Sequence, residues 1–372
     1  MSEFKFPPIS TLSGSTLSSF KQTIEGRLIE SKYHRKYLLT KLILIFSTPF
    51  HLWENLTINR EAKNYEMKTP PVFILGHWRS GTTLLHNLLC QADNAAFVST
   101  YQSVFPNTLK SKWIFKNFMQ ANMPSKRPSD NVKLNTDFPQ EDEFALGNMM
   151  PYSYYNFFYF PKDYAAYYEK YIRFRSLDEK EFKRWEYTYK LLINKALINS
   201  KGNRAIIKNP VNTGRLKVLS EVFPKAKFIH IYRNPVVVYL STKKFFKALM
   251  PTLWLHEVDE QFILDLIFDV YEKLYSDYFR QKETVASDRL FELKFEDFEK
   301  DPIAHLNDIY TYFGFDDFKK QKPNFETYLN SLKGYKKNKY TIERSELERI
   351  ERSWSFALEK WKYNLPERME VI

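Results

Sequence analysis

The chain has 372 residues, of which 44% are hydrophobic and 27% are charged, a composition that excludes an intrinsically disordered protein and a small disulfide-stabilised fold. Its single cysteine, Cys90, excludes an internal disulfide and a metal site built from several cysteines, and we expect a cytoplasmic protein. The 56 Lys and Arg residues exceed the 44 Asp and Glu residues by 12. This balance suits a polyanionic partner such as nucleic acid, a lipid surface or a phosphorylated small molecule.

The first 66 residues are predicted to form a helical lead-in before the main domain. Phe20, Ile24 and Leu28 recur at helical spacing, and residues 38–46 form an apolar stretch with basic flanks. The start of the chain lacks the pattern of a signal peptide, and the most apolar stretch, residues 38–53, is too short and too polar to span a bilayer. We expect this segment to pack on the main domain, and a helix at a membrane surface is the alternative.

A strand, a glycine loop and a helix are predicted from residue 72 onward. Residues 72–75 (VFIL) form an apolar run, Gly76 and Gly81 bracket the loop, and residues 82–91 have leucines on one helical face. The chain has only nine glycines, so two of them in one short loop indicate a backbone geometry that requires glycine. This arrangement is typical of a phosphate-binding α/β unit.

A βαβ unit is predicted after residue 204, beyond a mostly helical insertion at about 95–195 that is rich in aromatic residues. Strands at 205–207 and 228–232 end in Lys208 and Arg233, and a helix over 213–222 connects them. Such a unit implies parallel strands with a right-handed crossover.

Three further elements are predicted: a long helix at about 257–279, a strand at 290–295, and a helix at 303–313 that ends at Gly314. The predicted fold class is α/β, with a parallel sheet flanked by helices and a P-loop-like nucleotide-binding core with helical additions. The predicted domains are the lead-in 1–66, an α/β domain 67–340 and a C-terminal helix 341–372. Because ligands bind at the carboxyl edge of open parallel sheets, the site is expected there.

The loop has the spacing of a Walker A motif, G-x-x-x-x-G-K-[ST], but Thr82 stands where that motif has its lysine. Without that lysine a kinase or NTPase loses its main contact to the terminal phosphates, and the strand at 228–232 ends in Arg233, not in a magnesium-binding aspartate. We therefore expect a site that holds an anion with cations, hydroxyls and backbone N–H groups, without a metal. The predicted contacts are Arg79, Ser80, Gly81, Thr82 and Thr83.

Four segments resemble, in order, the motifs of sulfotransferases that use 3′-phosphoadenosine 5′-phosphosulfate (PAPS). Residues 71–85 (PVFILGHWRSGTTLL) resemble the 5′-phosphosulfate loop in the Arg-Ser-Gly-Thr-Thr form of the bacterial and tyrosylprotein branches. Residues 228–241 (FIHIYRNPVVVYLS) are similar to the 3′-phosphate motif. Residues 207–210 (IKNP) and 294–298 (KFEDF) resemble the family's Lys-Asp-Pro turn and its Tyr-Glu-Asp-Leu segment.

The resemblance implies a reaction and roles for four residues. The sulfuryl group of PAPS moves to a hydroxyl or amine of an acceptor by in-line displacement, and 3′,5′-bisphosphoadenosine is left. Arg79 and Lys208 are implied to stabilise the charge that builds on the leaving oxygen, although a solvated strand end is the alternative for Lys208. Arg233 and Ser241 are implied to hold the 3′-phosphate.

The chain also departs from the family, which bears on the adenine contacts. Leu84 stands where cytosolic members have a tryptophan that stacks on adenine, and Phe295 stands where the family has a tyrosine. Adenine contacts are therefore not carried over. Lys336 and Lys337 lie near the position of a late basic loop that covers the 3′-phosphate in the family, and a solvated charge run is the alternative.

Two places in the sequence offer a base for the proton of the acceptor. Residues 137–143 resemble an acidic Pro-x-Glu-Asp-Glu segment of bacterial members, which makes Glu141 and Glu143 the candidate bases. On a helix, residues two apart point in different directions, so only one of the two is expected to face the acceptor. His77, in the loop itself, is the alternative base.

Two other functions stay open on the sequence alone. One is a P-loop nucleotide kinase or NTPase, which Thr82 disfavours, and the other is a non-enzymatic polyanion binder, which only the net charge favours. No established nucleic-acid motif occurs, so a nucleic-acid partner is not expected. The acceptor stays open among a lipid, a glycan, a phenol and a peptide, as do a peripheral membrane contact and the oligomeric state.

Overall fold

The computed structural model describes residues 9–123, 135–332, 341–366 and 369–372. Contacts between residues divide the chain into two units. The first unit consists of Met1–Thr69, Ala96–Ile207 and Phe245–Asp259, and the second of Pro70–Ala95, Lys208–Lys244 and Glu260–Ile372. The sequence-based ranges 1–66, 67–340 and 341–372 stay a prediction about domain boundaries.

The central feature of the fold is a five-stranded sheet. Its strands are β1 (Val72–Leu75), β2 (Ala95–Ala96), β3 (Arg204–Lys208), β4 (Lys227–Tyr232) and β5 (Leu290–Lys294), in the spatial order β2-β3-β1-β4-β5. β1 pairs in parallel with β4, and β4 pairs in parallel with β5. All four residues of β1 are buried, as expected for an inner strand of a parallel sheet. The predicted α/β class with a parallel sheet is confirmed.

Helices make up most of the remaining described chain. They are α1 (Leu17–Ile24), α2 (His34–Leu56), α3 (Ile58–Lys63), α4 (Thr82–Leu89), α5 (Thr100–Val104), α6 (Lys112–Asn122), α7 (Asp142–Met149), α8 (Tyr164–Tyr171), α9 (Glu179–Ser200), α10 (Leu216–Val222), α11 (Pro235–Leu253), α12 (Glu260–Lys282), α13 (Phe295–Lys300), α14 (Pro302–Phe313), α15 (Phe318–Ser331), α16 (Arg344–Ser353) and α17 (Ser355–Lys360). Two short strands, β6 (Thr341–Ile342) and β7 (Glu370–Val371), pair in parallel. Among the described helices, none is both long and apolar enough to cross a membrane.

The helical pattern through Leu28 is not one helix. α1 ends at Ile24, Gly26 adopts a left-handed conformation (φ 72°), and Leu28 lies beyond it with 67% of its surface exposed. A right-handed helix does not continue through a residue at positive φ, so the apolar spacing alone was misleading.

Two further predicted helices differ in detail. The connection between β3 and β4 begins as a 3-10 helix, Pro210–Arg215, and only then continues as α10. The predicted C-terminal helix is two short helices, α16 and α17, separated at Trp354, which is fully buried. The break therefore coincides with a large buried side chain, and helix propensity does not encode such packing.

The strand order brings three chain segments together at the carboxyl edge of the sheet. β1 lies between β3 and β4 and leads into the glycine loop. β3 ends in Lys208, and Arg233 directly follows β4. The predicted basic residues therefore lie at the ends of the two strands that flank β1, at the edge where parallel sheets bind ligands.

Candidate functional site

The loop between β1 and α4 is held by hydrogen bonds from three directions. The Gly76 N–H donates to Thr213 Oγ1 at 2.8 Å, and the His77 N–H donates to Tyr275 Oη at 3.2 Å. Within the loop, Ser80 Oγ donates to the His77 carbonyl at 2.8 Å. Because these partners come from the 3-10 helix after β3 and from α12, the loop conformation depends on the fold of the second unit.

Both glycines of the motif are required by the space around them. Gly76 has φ 140°, and a Cβ there would lie 2.3 Å from the backbone oxygen of Ile231. Gly81 has φ 100°, and its Cβ would lie 2.1 Å from the ring of Phe295. The glycines therefore let the loop pass close to β4 and to the segment after β5.

Gly76→Ala is expected to destabilise the protein by about 3 kcal/mol or more, because a strained backbone is combined with a clash against a strand carbonyl. Gly314→Ala is the matched control, since Gly314 also has a positive φ (68°) but a Cβ there would meet nothing within 4 Å. The left-handed backbone conformation alone is expected to lower the free energy of unfolding of the control by about 1–2 kcal/mol. Urea unfolding of both variants measures the difference, and equal losses would contradict the role of the clash.

The N-terminus of α4 supplies an anion-binding environment. The helix begins at Thr82, and the N–H groups of Thr82 and Thr83 have no acceptor within the helix. They point out of the positive end of the helix dipole. Ser80 and Thr82 are buried, whereas Thr83 is half-buried. These positions agree with those expected for the phosphate contacts, whose roles stay a prediction.

Arg79, Ser241 and Arg233 lie together around the loop. Arg79 Nε donates to Ser241 Oγ at 2.8 Å, and an Arg233 guanidinium nitrogen donates to the Arg79 carbonyl at 3.4 Å. The sequence associated Ser241 with the 3′-phosphate, and in the structure this hydroxyl also accepts from Arg79. Two guanidinium groups thus flank the start of α4, where an anion has a strong partner in each.

Lys208 ends the strand beside β1 and is only 3% exposed. It is therefore not a solvated strand end, which was the alternative interpretation. Burial of an ammonium group is costly unless other groups compensate its charge, so the surroundings of Lys208 are suited to a cation. The following residue, Asn209, accepts the Val211 N–H with its side-chain oxygen at 3.2 Å and so shapes the Lys-Asn-Pro turn.

Phe295 has a role that sequence reasoning missed. Its ring packs on Gly81, and the Arg233 guanidinium carbon lies 4.4 Å from the ring centroid. A guanidinium at this distance gains a cation–π contact that fixes its place. The sequence did single out this position, because Phe295 stands where the family has a tyrosine. It did not show that the ring contacts Gly81 and Arg233.

Glu296, the next residue, connects three segments of the second unit. One carboxylate oxygen accepts the Asn234 N–H at 3.1 Å, and the other accepts the Tyr363 hydroxyl at 2.5 Å. Asn234 in turn donates to the carbonyl of Asn364 at 2.8 Å. Since Asn234 follows Arg233, this network fixes the chain that carries the second arginine; no sequence pattern reveals it.

His77 is buried within the loop. Burial lowers its pKa to about 4, so the imidazole is neutral at physiological pH. Its Nδ1 lies 2.9 Å from the Trp78 carbonyl, and its ring contacts the rings of Tyr271 and Trp78. These contacts give His77 a structural place in the loop and favour the acidic segment as the source of the base.

The acidic segment belongs to the first unit, where its two glutamates differ. Glu143 is fully buried, and one of its oxygens accepts the Ser153 hydroxyl at 3.0 Å and the Tyr154 N–H at 2.9 Å. Glu141 precedes α7, is half-buried, and accepts the Tyr155 hydroxyl at 2.6 Å. Glu143 therefore supports the turn that follows α7, and Glu141 has the greater access to a ligand.

Two other predicted features have a plain outcome. The aromatic run of the insertion belongs to the core of the first unit. All seven residues from Tyr154 to Phe160 are buried, and Asn156 is the one among them that is not aromatic. Lys336 and Lys337 lie outside the described residues.

Comparison with known proteins gives one family. A family model described as "Sulfotransferase family" matches residues 70–319. Two relatives, from Mycobacterium bovis and Mycobacterium tuberculosis, are both named omega-hydroxy-beta-dihydromenaquinone-9 sulfotransferase Stf3. Each is 32% identical over 335 residues, which cover 90% of this chain and 85% of the relative.

Solved structures of sulfotransferases have the same fold. STF9 from Mycobacterium avium superposes with a TM-score of 0.70 at 15% identity, over 94% of this chain and 90% of that one. STF1 from Mycobacterium tuberculosis H37Rv gives a TM-score of 0.63 at 14% identity, over 91% of each chain. At these identities the likeness bears on the fold alone, and it confirms the predicted P-loop-like α/β fold.

Proposed function

This chain belongs to the sulfotransferase family, and we propose that it transfers the sulfuryl group of PAPS to a hydroxyl group by in-line displacement without a metal. The observation that carries the proposal is the grouping of Arg79, Ser241 and Arg233 around the start of α4. A nucleotide with a 5′-phosphosulfate and a 3′-phosphate presents two anionic groups, and this site offers two guanidinium groups and a helix N-terminus.

PAPS supplies an activated sulfuryl group whose sulfur–oxygen bond to the 5′-phosphate breaks as the acceptor oxygen bonds to sulfur. The residues of the chain have separate tasks in this proposal. Arg79 and Lys208 stabilise the negative charge that the leaving oxygen gains with the bonding electron pair. Ser80 to Thr83 orient the 5′-phosphate through hydroxyls and N–H groups. A carboxylate, for which we propose Glu141, takes the proton of the acceptor hydroxyl.

For the acceptor we propose a hydroxyl carried by a lipid of the menaquinone kind. The support is the name of the two mycobacterial relatives, which describes transfer to an omega-hydroxylated dihydromenaquinone, together with their coverage of most of both chains. Among the acceptor classes that the sequence left open, the lipid is the one with a specific observation in its favour. The kinase or NTPase has no observation in its favour, since Thr82 replaces the Walker A lysine, and the polyanion binder has only the net charge. A cytoplasmic location stays a prediction.

Bisphosphoadenosine, the product nucleotide, is expected to bind in the presence of a chelator, because cationic side chains and N–H groups supply the countercharge. Calorimetry with bisphosphoadenosine plus EDTA, and with ATP plus magnesium, measures this. Loss of bisphosphoadenosine binding on chelation, or tighter binding of magnesium ATP, would contradict the proposal. Transfer of labelled sulfate from PAPS to extracted lipid, glycan, phenol and peptide pools then identifies the acceptor class, and label outside the lipid pool contradicts the lipid assignment.

The same titration with Arg233→Ala tests recognition of the 3′-phosphate. We expect bisphosphoadenosine affinity to fall about tenfold or more, because a charge-assisted hydrogen bond contributes about 1.5–3 kcal/mol, whereas AMP affinity changes little. Arg289→Ala is the matched control, since this arginine precedes β5 at the opposite edge of the sheet and donates to the Ala226 and Phe223 carbonyls. It is expected to leave the ratio of the two affinities unchanged.

A further inference from the structure

Helix α2 in the first unit has its polar and apolar faces reversed with respect to the protein interior. Its buried residues are Thr40, Leu44, Ser47, His51 and Glu54, four of which are polar. Its exposed apolar residues are Leu38, Leu42, Ile45, Phe46, Leu52, Trp53 and Leu56, each between 43% and 76% exposed. At about 100° per residue these seven side chains fall within an arc of about 120°, a continuous stripe along a helix about 35 Å long. We call them the α2 stripe.

Buried polar contacts fix this orientation. Glu54 Oε1 lies 2.7 Å from Lys195 Nζ on α9, and both side chains are fully buried. The other Glu54 oxygen accepts the Lys110 N–H at 2.8 Å. Breaking a buried ion pair costs about 3–5 kcal/mol, because the remaining charge is left without a partner. Rotation of α2 to bury the stripe would expose or separate this pair, so the stripe faces outward in the stable fold.

Polar contacts near the start of α2 also hold its polar face against the first unit. Thr40 Oγ1 accepts the Ser10 N–H at 3.0 Å, and Lys36 Nζ donates to the carbonyls of Thr252 and Trp254. α2 is thus attached along its length through hydrogen bonds and an ion pair. A large apolar face that is held outward is typical of a surface that meets an apolar partner.

The charges of α2 indicate which partner this is. Arg35 and Lys41 are exposed, and the helix has one acidic residue, Glu54, which is buried and paired. The exposed face of α2 therefore combines large apolar side chains with positive charge only, which is the composition of helices that lie in the interface of an anionic membrane. Trp53 adds a side chain that is favoured at the level of the lipid headgroups.

We propose that α2 docks the protein on an anionic lipid bilayer, with the α2 stripe inserted below the headgroups and Arg35 and Lys41 at the phosphate level. The helix lies along the surface and does not cross the bilayer, since its polar face is fixed inside the first unit. A second copy of the chain is disfavoured as the occupant, because two such faces would bring like charges together on molecules with a net charge of +12. The proposal does not depend on the sulfotransfer reaction.

Vesicle flotation with the full-length protein tests this proposal. We expect binding to vesicles of phosphatidylglycerol and phosphatidylcholine, weaker binding at high salt, and little binding to pure phosphatidylcholine. The triple variant Leu42→Gln, Ile45→Gln and Leu52→Gln is expected to bind at least about tenfold more weakly, because it removes three of the inserted side chains. Glutamine keeps the helix propensity of leucine, and the three positions are exposed, so the fold is retained. Lys41→Gln is expected to weaken binding about fivefold.

Leu332→Gln is the matched control, since it removes an exposed leucine of the second unit and is expected to leave vesicle binding unchanged. Binding of the triple variant equal to that of the unsubstituted protein would overturn the proposal. It would also be overturned by a protein that ignores vesicles and forms a dimer in solution that the triple substitution dissociates, since the stripe would then bind a second copy. Thermal unfolding of each variant verifies that lost binding is not lost structure.

Discussion

Replacing Arg79 with alanine is expected to lower the rate of sulfuryl transfer by about 10²- to 10³-fold, the effect of removing one donor that stabilises developing charge. Arg79 lies in the loop between β1 and α4 with its Nε directed at Ser241, and no other described guanidinium shares this loop. Its side chain is half-buried and contributes little to the core, so thermal unfolding should change little. The measurement is single-turnover transfer of labelled sulfate, with bisphosphoadenosine affinity measured in parallel.

Two variants sharpen this prediction. Ser241→Ala removes the acceptor of the 2.8 Å hydrogen bond and is expected to give a smaller loss of rate, about tenfold, because the charge stays but is less well oriented. Arg79→Lys keeps a charge without the planar donor geometry and is expected to recover only part of the rate. If Arg79→Ala and Arg233→Ala show the same defect in rate and in nucleotide affinity, the proposed division between chemistry and recognition is wrong.

Glu141→Gln is expected to reduce turnover by about 10²- to 10⁴-fold while bisphosphoadenosine binding is retained, because a general base contributes this much and does not hold the nucleotide. Glutamine keeps an oxygen that can accept the Tyr155 hydroxyl, so the local hydrogen bond at 2.6 Å does not have to be lost. Turnover is measured with the acceptor that the labelled-sulfate screen identifies. A stable variant with normal nucleotide affinity and low turnover is the expected combination.

Glu143→Gln is the matched control, two residues away in the same segment. It is expected to lower the free energy of unfolding more than Glu141→Gln does, because Glu143 is fully buried and accepts two hydrogen bonds. Its effect on the turnover of folded protein should be mild. Near-normal turnover in both glutamate variants, together with a loss in His77→Ala that is not explained by stability, would place the base in the loop.

The site at the sheet edge could be predicted from the sequence because its signals are local. Two glycines within one short loop, an apolar strand before it and a helix after it specify the conformation of residues that are adjacent in the chain. The basic residues at the ends of β3 and β4 could be predicted for the same reason, because each stands directly after a mostly apolar run in the sequence. The spacing rule failed at Leu28 and at residues 213–215, where a backbone constraint overrode it: Gly26 at positive φ and the 3-10 helix after Asn209.

The sequence by itself therefore determined the α/β class, the glycine loop between β1 and α4 and the family, since each depends on short-range patterns and on motif order. The tertiary structure decided which side chains meet. Arg79 and Ser241 are 162 positions apart in the chain, and their hydrogen bond exists only because α11 returns to the loop. It also decided which face of α2 is exposed. Helical periodicity shows that a helix has two faces but not which is inside; here the buried ion pair between Glu54 and Lys195 fixes the polar face inward, because a charge that is buried without its partner is strongly destabilising.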